Sequence, residues 1–386
     1  MPLAVYLLGL TIFSITTSEF MVAGMMPSLT QALGVPVAQI GYLITLYAAG
    51  MVVGGPLLTA LLLWLRAPNK QALLGLLMLY TVAQSVAAAA PDYEVMAVAR
   101  VATGVAGSAC FGMALAICAE MVDAQSRGRA ASIVLGGLML ASVLGVPMAT
   151  WVDQHFGWRA SFWSVAAVAV LCTTAIAAWV PRSERPQRTG LGAELSEFRN
   201  PHLWAAYTSS ALIIGATFSA FSYFAPILTQ VSGFSSAAIP WLLCLYGAAN
   251  VIGNAIAGRF ADRHTYAVMV CGLIALVLAL VAFALFAHRP AIGLAMMLII
   301  GLVGVSMNPA MIARVMKTSH PGPLVNAMHT SVINIGLGVG AWLGGVGIGN
   351  GYGLRSPLWV GALLAVFGLL SLTPYLRRAA RAPLPS

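Results

Sequence analysis

Charge is scarce in this chain. Only 8% of its 386 residues are Asp, Glu, Lys or Arg while 60% are hydrophobic, a balance that excludes a soluble domain with one core and fits a protein whose main solvent is lipid. Acid is scarcer than base, with 10 Asp and Glu against 19 Lys and Arg. In a soluble chain that excess would point to nucleic acid. Here the cations sit at the ends of apolar runs and no basic, aromatic-studded surface accompanies them, so no nucleic-acid partner is expected. Cys110, Cys118, Cys172, Cys244 and Cys271 all fall inside apolar runs without a C-x-x-C pair. That spacing argues against a zinc site, disulfides and a redox motif, and leaves them as small buried hydrophobes. No nucleophile-base pattern and no Walker motif is present. The glycines from Gly336 to Gly351 follow no strand and therefore make no dinucleotide fingerprint. The chain is read as no enzyme, with no cofactor and no metal.

What the chain has is long apolar runs. They cover about 3–26, 40–65, 72–90, 95–122, 131–152, 160–180, 203–231, 239–260, 266–287, 291–316, 324–346 and 357–375. A helix rising 1.5 Å per residue needs about 20 residues to cross a hydrocarbon layer of roughly 30 Å, so each run is a transmembrane helix. The first run has no basic leader and no small-residue cleavage pattern, and is kept as a span. Short loops make sequential spans antiparallel neighbours. The exception is 181–202, polar and basic, which divides the chain into an N-terminal six-helix bundle at 1–180 and a C-terminal one at 203–386. The expected fold is an all-α integral membrane protein with twelve transmembrane helices in two pseudo-symmetric bundles.

The cations set the orientation. With the N-terminus cytoplasmic, the inner loops and tail hold Arg66, Lys70, Arg127, Arg129, Arg182, Arg185, Arg188, Arg199, Arg259, Arg263, Arg314, Lys317, Arg377, Arg378 and Arg381, 15 of the 19. The outer loops hold Arg159, Arg289 and Arg355, and Arg100 lies inside the fourth span. That asymmetry places both termini on the cytoplasmic side of a multi-pass protein.

A repeat relates the halves. Pro27-Ser28-Leu29-Thr30-Gln31 recurs as Pro226-Ile227-Leu228-Thr229-Gln230, Leu46-Tyr47-Ala48-Ala49 as Leu245-Tyr246-Gly247-Ala248, Gly34 as Gly233 and Gly54 as Gly253, all at the offset 226 − 27 = 199. Six spans lie between the copies, so both run the same way across the membrane, as in transporters built from parallel repeats. The halves differ where Glu19 maps to Phe218, and Met51 and Gly55 map to Asn250 and Asn254.

Away from span ends only Glu19 and Arg100 are charged within the spans. An ionisable group at that depth costs at least about 2.5 kcal/mol and usually faces a partner or an ion pathway. Both are placed roughly 8–12 Å below the outer boundary by helical rise. Two readings follow: a permanent ion pair that fixes helix packing, or a carboxylate that loads and releases a proton beside a cation that moves. Thr16, Ala23 and Met26 share the Glu19 face, and Gly104, Gly107 and Phe111 the Arg100 face. Gly104 and Gly107 read as close helix contacts. Thr16, Ala23, Met26 and Phe111, with Phe218, Phe221 and Tyr223 of span seven and Asn250, Asn308 and Asn334 beyond it, are the candidate substrate-lining residues. Gly137, Gly145 and Pro147 bend and tighten span five, and Pro226 offers a bend in span seven. Asp262 and Arg263 follow span eight at the cytoplasmic side. His329 reads as a hydrogen-bonded histidine ahead of a titrating one.

Several of these stretches resemble the major facilitator superfamily. Gly258 with Asp262-Arg263 is similar to that family's loop signature, Arg100-Val101-Ala102-Thr103-Gly104 to its fourth-helix signature, and Gly137 with Gly145-Val146-Pro147 to its fifth-helix antiporter signature. Thr103 stands where Gln is usual, and Leu65-Arg66-Ala67-Pro68-Asn69-Lys70 lacks the Asp of the first-half loop. Thr17 to Met21, Leu46 to Pro56 and Asn326 to Gly345 resemble the drug:proton antiporter branch that holds bacterial chloramphenicol-resistance and arabinose or nucleoside efflux proteins. The resemblance implies twelve helices, alternating access and proton-driven export, and does not fix the substrate; the chain is read as a bacterial inner-membrane exporter of a small neutral or lipophilic compound such as chloramphenicol, expected to be a monomer. Glu19 and Arg100 would couple protons, and Gly137, Gly145, Pro147, Pro226, Asp262 and Arg263 would serve the conformational change. An exporter of a sugar or nucleoside, and a membrane sensor that binds ligand without flux, stay open as alternatives.

Overall fold

The computed structural model describes residues 1–65, 67–181, 196–318 and 323–379. Residues 182–195 of the expected linker, with Arg182, Arg185 and Arg188, lie outside the described residues, as do Arg66 and Arg381. Among the described residues all regular structure is helical. Twelve of the helical segments are long and apolar enough to cross a membrane. In hydrocarbon no water is available to backbone N–H and C=O groups, and a helix satisfies them within one segment.

The helices in chain order are α1 (Leu3–Gly24), α2 (Met26–Leu33), α3 (Val37–Trp64), α4 (Asn69–Ala89), α5 (Tyr93–Met121), α6 (Arg127–Leu140), α7 (Val146–Phe156), α8 (Trp158–Trp179), α9 (Pro201–Phe221), α10 (Phe224–Gln230), α11 (Ile239–Ala261), α12 (Thr265–Phe286), α13 (Pro290–Val303), α14 (Asn308–Thr318), α15 (Pro323–Gly349) and α16 (Ser356–Ala379). Among the described residues these sixteen α-helices make twelve spans because four spans are interrupted. Span one breaks at Met25 and span seven at Ser222-Tyr223. Span five contains a π-helical turn, Ala141–Gly145, just before Pro147. Span ten turns at Gly304 ahead of Asn308-Pro309.

Contacts group the chain into two units, Met1–Thr189 with Ser222–Gly247, and Gly190–Phe221 with Ala248–Ser386. The repeat and the contacts divide the chain differently at Ser222–Gly247: α10 and the first part of α11 pack with the first unit. In that unit Gln154 Nε2 donates to the Ser236 carbonyl at 2.6 Å, and a Cβ on Gly41 would stand 1.9 Å from the Tyr223 hydroxyl.

In the first unit α1 packs against α3, α6, α7 and α8. Its Val5, Leu8, Ile12 and Ile15 join Leu73, Leu77 and Tyr80 of α4 and Cys110 and Ala114 of α5 in one buried core. A Cβ on Gly137 would lie 2.1 Å from the Gly9 carbonyl, and one on Gly104 2.2 Å from the Tyr47 carbonyl. Helices without a hydrophobic drive between them gain by such close van der Waals approach. In the second unit α9 packs on α15 and α16, and a Cβ on Gly340 would stand 2.2 Å from the Gly215 carbonyl.

The repeat reappears as local geometry. Gly34 and Gly233 both adopt left-handed backbone, φ 65° and 78°, just after α2 and α10. Gly54 and Gly253 both face the backbone of their own unit's fourth span, at Val105 and Leu302.

Candidate functional site

Arg100 is fully buried on α5. Its Nη1 donates to the Ser18 carbonyl at 2.8 Å and to Ser18 Oγ at 3.3 Å, and its Nη2 donates to the Glu19 carbonyl at 3.1 Å. The guanidinium lies 4.2 Å over the Tyr47 ring. A backbone carbonyl has two lone pairs, so α1 can keep its helical ladder and still receive these donors. Ser18 Oγ in turn donates to Gln84 Oε1 at 2.9 Å, and Gln84 Nε2 donates to the Phe162 carbonyl at 3.4 Å. Tyr47 donates to the Ile15 carbonyl and Tyr80 to the Ser14 carbonyl, each at 3.4 Å. One cation thus organises a polar network tying α1 to α3, α4, α5 and α8.

Glu19 lies beside this network and is 6% exposed. Among the described residues no hydrogen bond or ion pair reaches its carboxylate. Glu19 and Arg100, expected to be partners, lie side by side, Arg100 reaching the Glu19 carbonyl. The permanent ion pair is not what forms: the fork of Arg100 is spent on main-chain oxygens. Thr16 Oγ1, a turn before, is buried without a partner among the described residues. Ala23 is buried on the same helix, whereas Met26, expected on the same face, is buried at the start of α2 beyond the break at Met25, and Phe111 packs half-buried against the apolar core.

Span five delivers further groups. A Cβ on Gly145 would stand 2.1 Å from Thr17 Oγ1, so the π turn and the first helix touch two residues from Glu19. Asp153, near the outer end of α7, is 7% exposed and lies 2.8 and 2.7 Å from Ser28 Oγ through its two oxygens. The apolar run ends at 152, so sequence reading left Asp153 in the loop. The helix continues to Phe156 and carries it inward.

In the second unit Phe218 and Phe221 meet edge to face with centroids 5.4 Å apart. Asn250 is buried, its Oδ1 unpartnered among the described residues. Asn334 Nδ2 donates to the Thr330 carbonyl at 3.0 Å, and Asn308 is half-buried at the start of α14. His329 is buried and hydrogen-bonded, its Nε2 2.9 Å from Ser210 Oγ and its ring stacked on Tyr207. Asp262 and Arg263 are exposed after α11, where Lys317 Nζ donates to the Asp262 carbonyl at 2.6 Å. Arg314 corrects the charge map. Counted among the inner loop cations, it is 1% exposed, with Nη1 donating to Ser209 Oγ at 2.6 Å and its guanidinium 4.8 Å over Tyr375 and 5.7 Å over Tyr266. Two tyrosines on neighbouring helices shelter it, a pairing no linear pattern announces. Gln84, Tyr47 and Ser18 were also missed, although Tyr80 and Gln84 stand four apart on one face of an apolar span.

Twelve spans among the described residues, four of them interrupted, with a buried arginine bonded to main chain beside a buried carboxylate, define a polytopic membrane transporter. A family model described as Major Facilitator Superfamily matches residues 8–323, and the chain belongs to that family. It is 32% identical over 381 residues to a chloramphenicol resistance protein of Streptomyces lividans, covering 97% of this chain and 96% of the relative. It is 30% identical over 364 residues to the inner membrane transport protein YdhP of Escherichia coli, covering 94% and 93%. Among solved structures, a bacterial homolog of the human lysosomal transporter Spinster, inward-facing and occupied, superposes with a TM-score of 0.73 over 96% of each chain at 14% identity, a likeness of fold.

Proposed function

We propose that this protein is a proton-coupled exporter of a small neutral or lipophilic compound, chloramphenicol being the first candidate, working by alternating access in a bacterial inner membrane. Glu19 carries the proton. The observation that carries this reading is a carboxylate buried in the first span with no hydrogen bond or ion pair at its oxygens among the described residues, free to exchange a proton without first breaking an ion pair. Arg100 serves beside it by holding the α1 backbone on which Glu19 stands. The relative named for chloramphenicol resistance supports the substrate class. The cation asymmetry of the loops supports cytoplasmic termini, with six spans before 181–202 and six after.

The test is uphill transport of labelled chloramphenicol, among a panel of drugs and metabolites, by the full-length protein in vesicles under an imposed pH gradient. Glu19→Gln keeps shape and cannot cycle a proton; it is expected to insert normally and lose accumulation. Undiminished accumulation by the variant would remove Glu19 from the coupling.

A second reading, export of a sugar or nucleoside, is favoured by Asn250 alone. Its buried Oδ1 lacks a partner among the described residues, and a substrate hydroxyl would supply one. Gradient-driven flux of a sugar or nucleoside that is lost in Asn250→Leu, with chloramphenicol untouched, would select it.

A further inference from the structure

Ser28 Oγ has one hydrogen and three oxygens around it. It lies 2.8 and 2.7 Å from the two oxygens of Asp153 and 2.9 Å from the Met25 carbonyl. All three are acceptors if Asp153 is ionised, and a hydroxyl donates once. With Ser28 donating to the carboxylate, its oxygen faces the Met25 carbonyl with no hydrogen between. With Ser28 donating to Met25, two carboxylate oxygens crowd its lone pairs. One added proton gives two hydrogen bonds in place of one: Asp153 donates to Ser28 Oγ through one of its oxygens, and Ser28 donates to the Met25 carbonyl.

We propose that Asp153 and Ser28 form a proton-binding site, separate from Glu19, that latches α7 to the break between α1 and α2 when occupied. The latch runs from the end of the helix that follows the π turn through Ser28 to the Met25 carbonyl at the break in span one. On release the proton leaves Asp153, the Ser28 hydroxyl turns from Met25 to the carboxylate, and the tie to Met25 is lost. The ionisable groups on the packed elements are engaged elsewhere or unconnected. Arg159, in the first turn of α8, donates to the Ala90 carbonyl at 2.6 Å and stacks over Trp158. His155 on α7 holds the Trp151 carbonyl and the Trp151 ring. Glu19 lies on α1, Tyr223 ahead of α10 packs at Gly41, and α2 and the turn Ser236–Ala238 carry no charge. No ion pair reaches Asp153 among the described residues. A metal cation is disfavoured, since oxygens 2.7 to 2.9 Å apart have hydrogen-bond spacing and leave no room for an ion among them.

The test is infrared difference spectroscopy of the full-length protein in lipid vesicles, titrated from acid to alkaline, in a Glu19→Gln background so that this site is read apart from proton coupling. A titrating carboxylic-acid band is expected there, lost in Asp153→Asn. Ser28→Ala, which keeps the carboxyl, is expected to shift both the band and its titration midpoint. Spectra of Asp153→Asn that superimpose on the background, a band unmoved by Ser28→Ala, or a band abolished by sodium but not by choline would each overturn the proposal. Because Ser28→Ala retains the acid, the test survives if Asp153→Asn fails to fold.

Discussion

Arg100 meets Glu19 at the backbone, Nη2 to carbonyl oxygen at 3.1 Å, while the Glu19 carboxylate receives no bond among the described residues. Charge complementarity therefore does not hold the two side chains together. A planar fork holds a stretch of main chain, and the carboxylate is left to its own chemistry. The two functions expected of one ion pair are divided between two groups.

The fork makes Arg100→Lys a severe change despite the retained charge. An ammonium cannot span two successive carbonyls and also lie flat on Tyr47. A charge-assisted hydrogen bond contributes about 1.5–3 kcal/mol, so loss of about 2 kcal/mol is expected in denaturation of the detergent-solubilised protein. Equal stability of parent and variant would show that the carbonyl grip contributes nothing.

Gln84→Leu probes the far end of the network. Ser18 Oγ would lose its acceptor and the Phe162 carbonyl a donor, at about 1 kcal/mol each. The expected result is reduced thermal stability with Glu19-dependent transport still measurable. Complete loss of transport at normal stability would place Gln84 in the mechanism instead.

Gly145→Ala and Gly137→Ala are both expected to destabilise by about 1–3 kcal/mol through overpacking. They differ in how they can be rescued. The atoms nearest the added methyl of Gly145→Ala all belong to the Thr17 side chain, so Thr17→Ala in the same protein should recover part of the loss. The methyl of Gly137→Ala meets the Gly9 carbonyl and Phe13 backbone nitrogen, which no side-chain truncation removes. Thermal unfolding of the single and double variants decides; failure of Thr17→Ala to help would mean that the π turn cannot accommodate a side chain at all.

Arg314→Met removes a buried cation whose Nε and Nη2 have no hydrogen-bond partner among the described residues. Replacing a buried ion by an apolar chain of similar length is often neutral or stabilising by about 1–4 kcal/mol. An unchanged or raised melting temperature is expected. A fall equivalent to more than about 2 kcal/mol would show that stacking on Tyr266 and Tyr375 outweighs the desolvation cost.

The architecture was legible because lipid imposes it: apolar length gives the spans, and one offset of 199 gives the halves, down to the matching backbone at Gly34 and Gly233. Charge in mid-span was equally legible at Glu19 and Arg100. What the pattern could not reveal was direction. Whether a guanidinium bonds to a carboxylate or a carbonyl depends on tenths of an ångström in helix spacing, set here by Gly104 against Tyr47. Charged groups near span ends were harder still. Asp153 and Arg314 both lie where an apolar run fades into loop, and only the packed helices decide that they turn inward.

The π-helical turn at Ala141–Gly145 has a consequence for how chains of this kind are matched to one another. Such a turn accommodates one surplus residue by widening a single loop of the ladder, so the helix before it and the helix after it keep the relation they would have in an α-helix one residue shorter. A wheel drawn through the whole of span five at constant pitch rotates everything past Gly145 by about 100°, and would put Val152 or Gln154 where Asp153 stands. Alignments should therefore admit a one-residue gap between Gly137 and Pro147, and a single deletion there is the length change this span can absorb while both its faces stay in place.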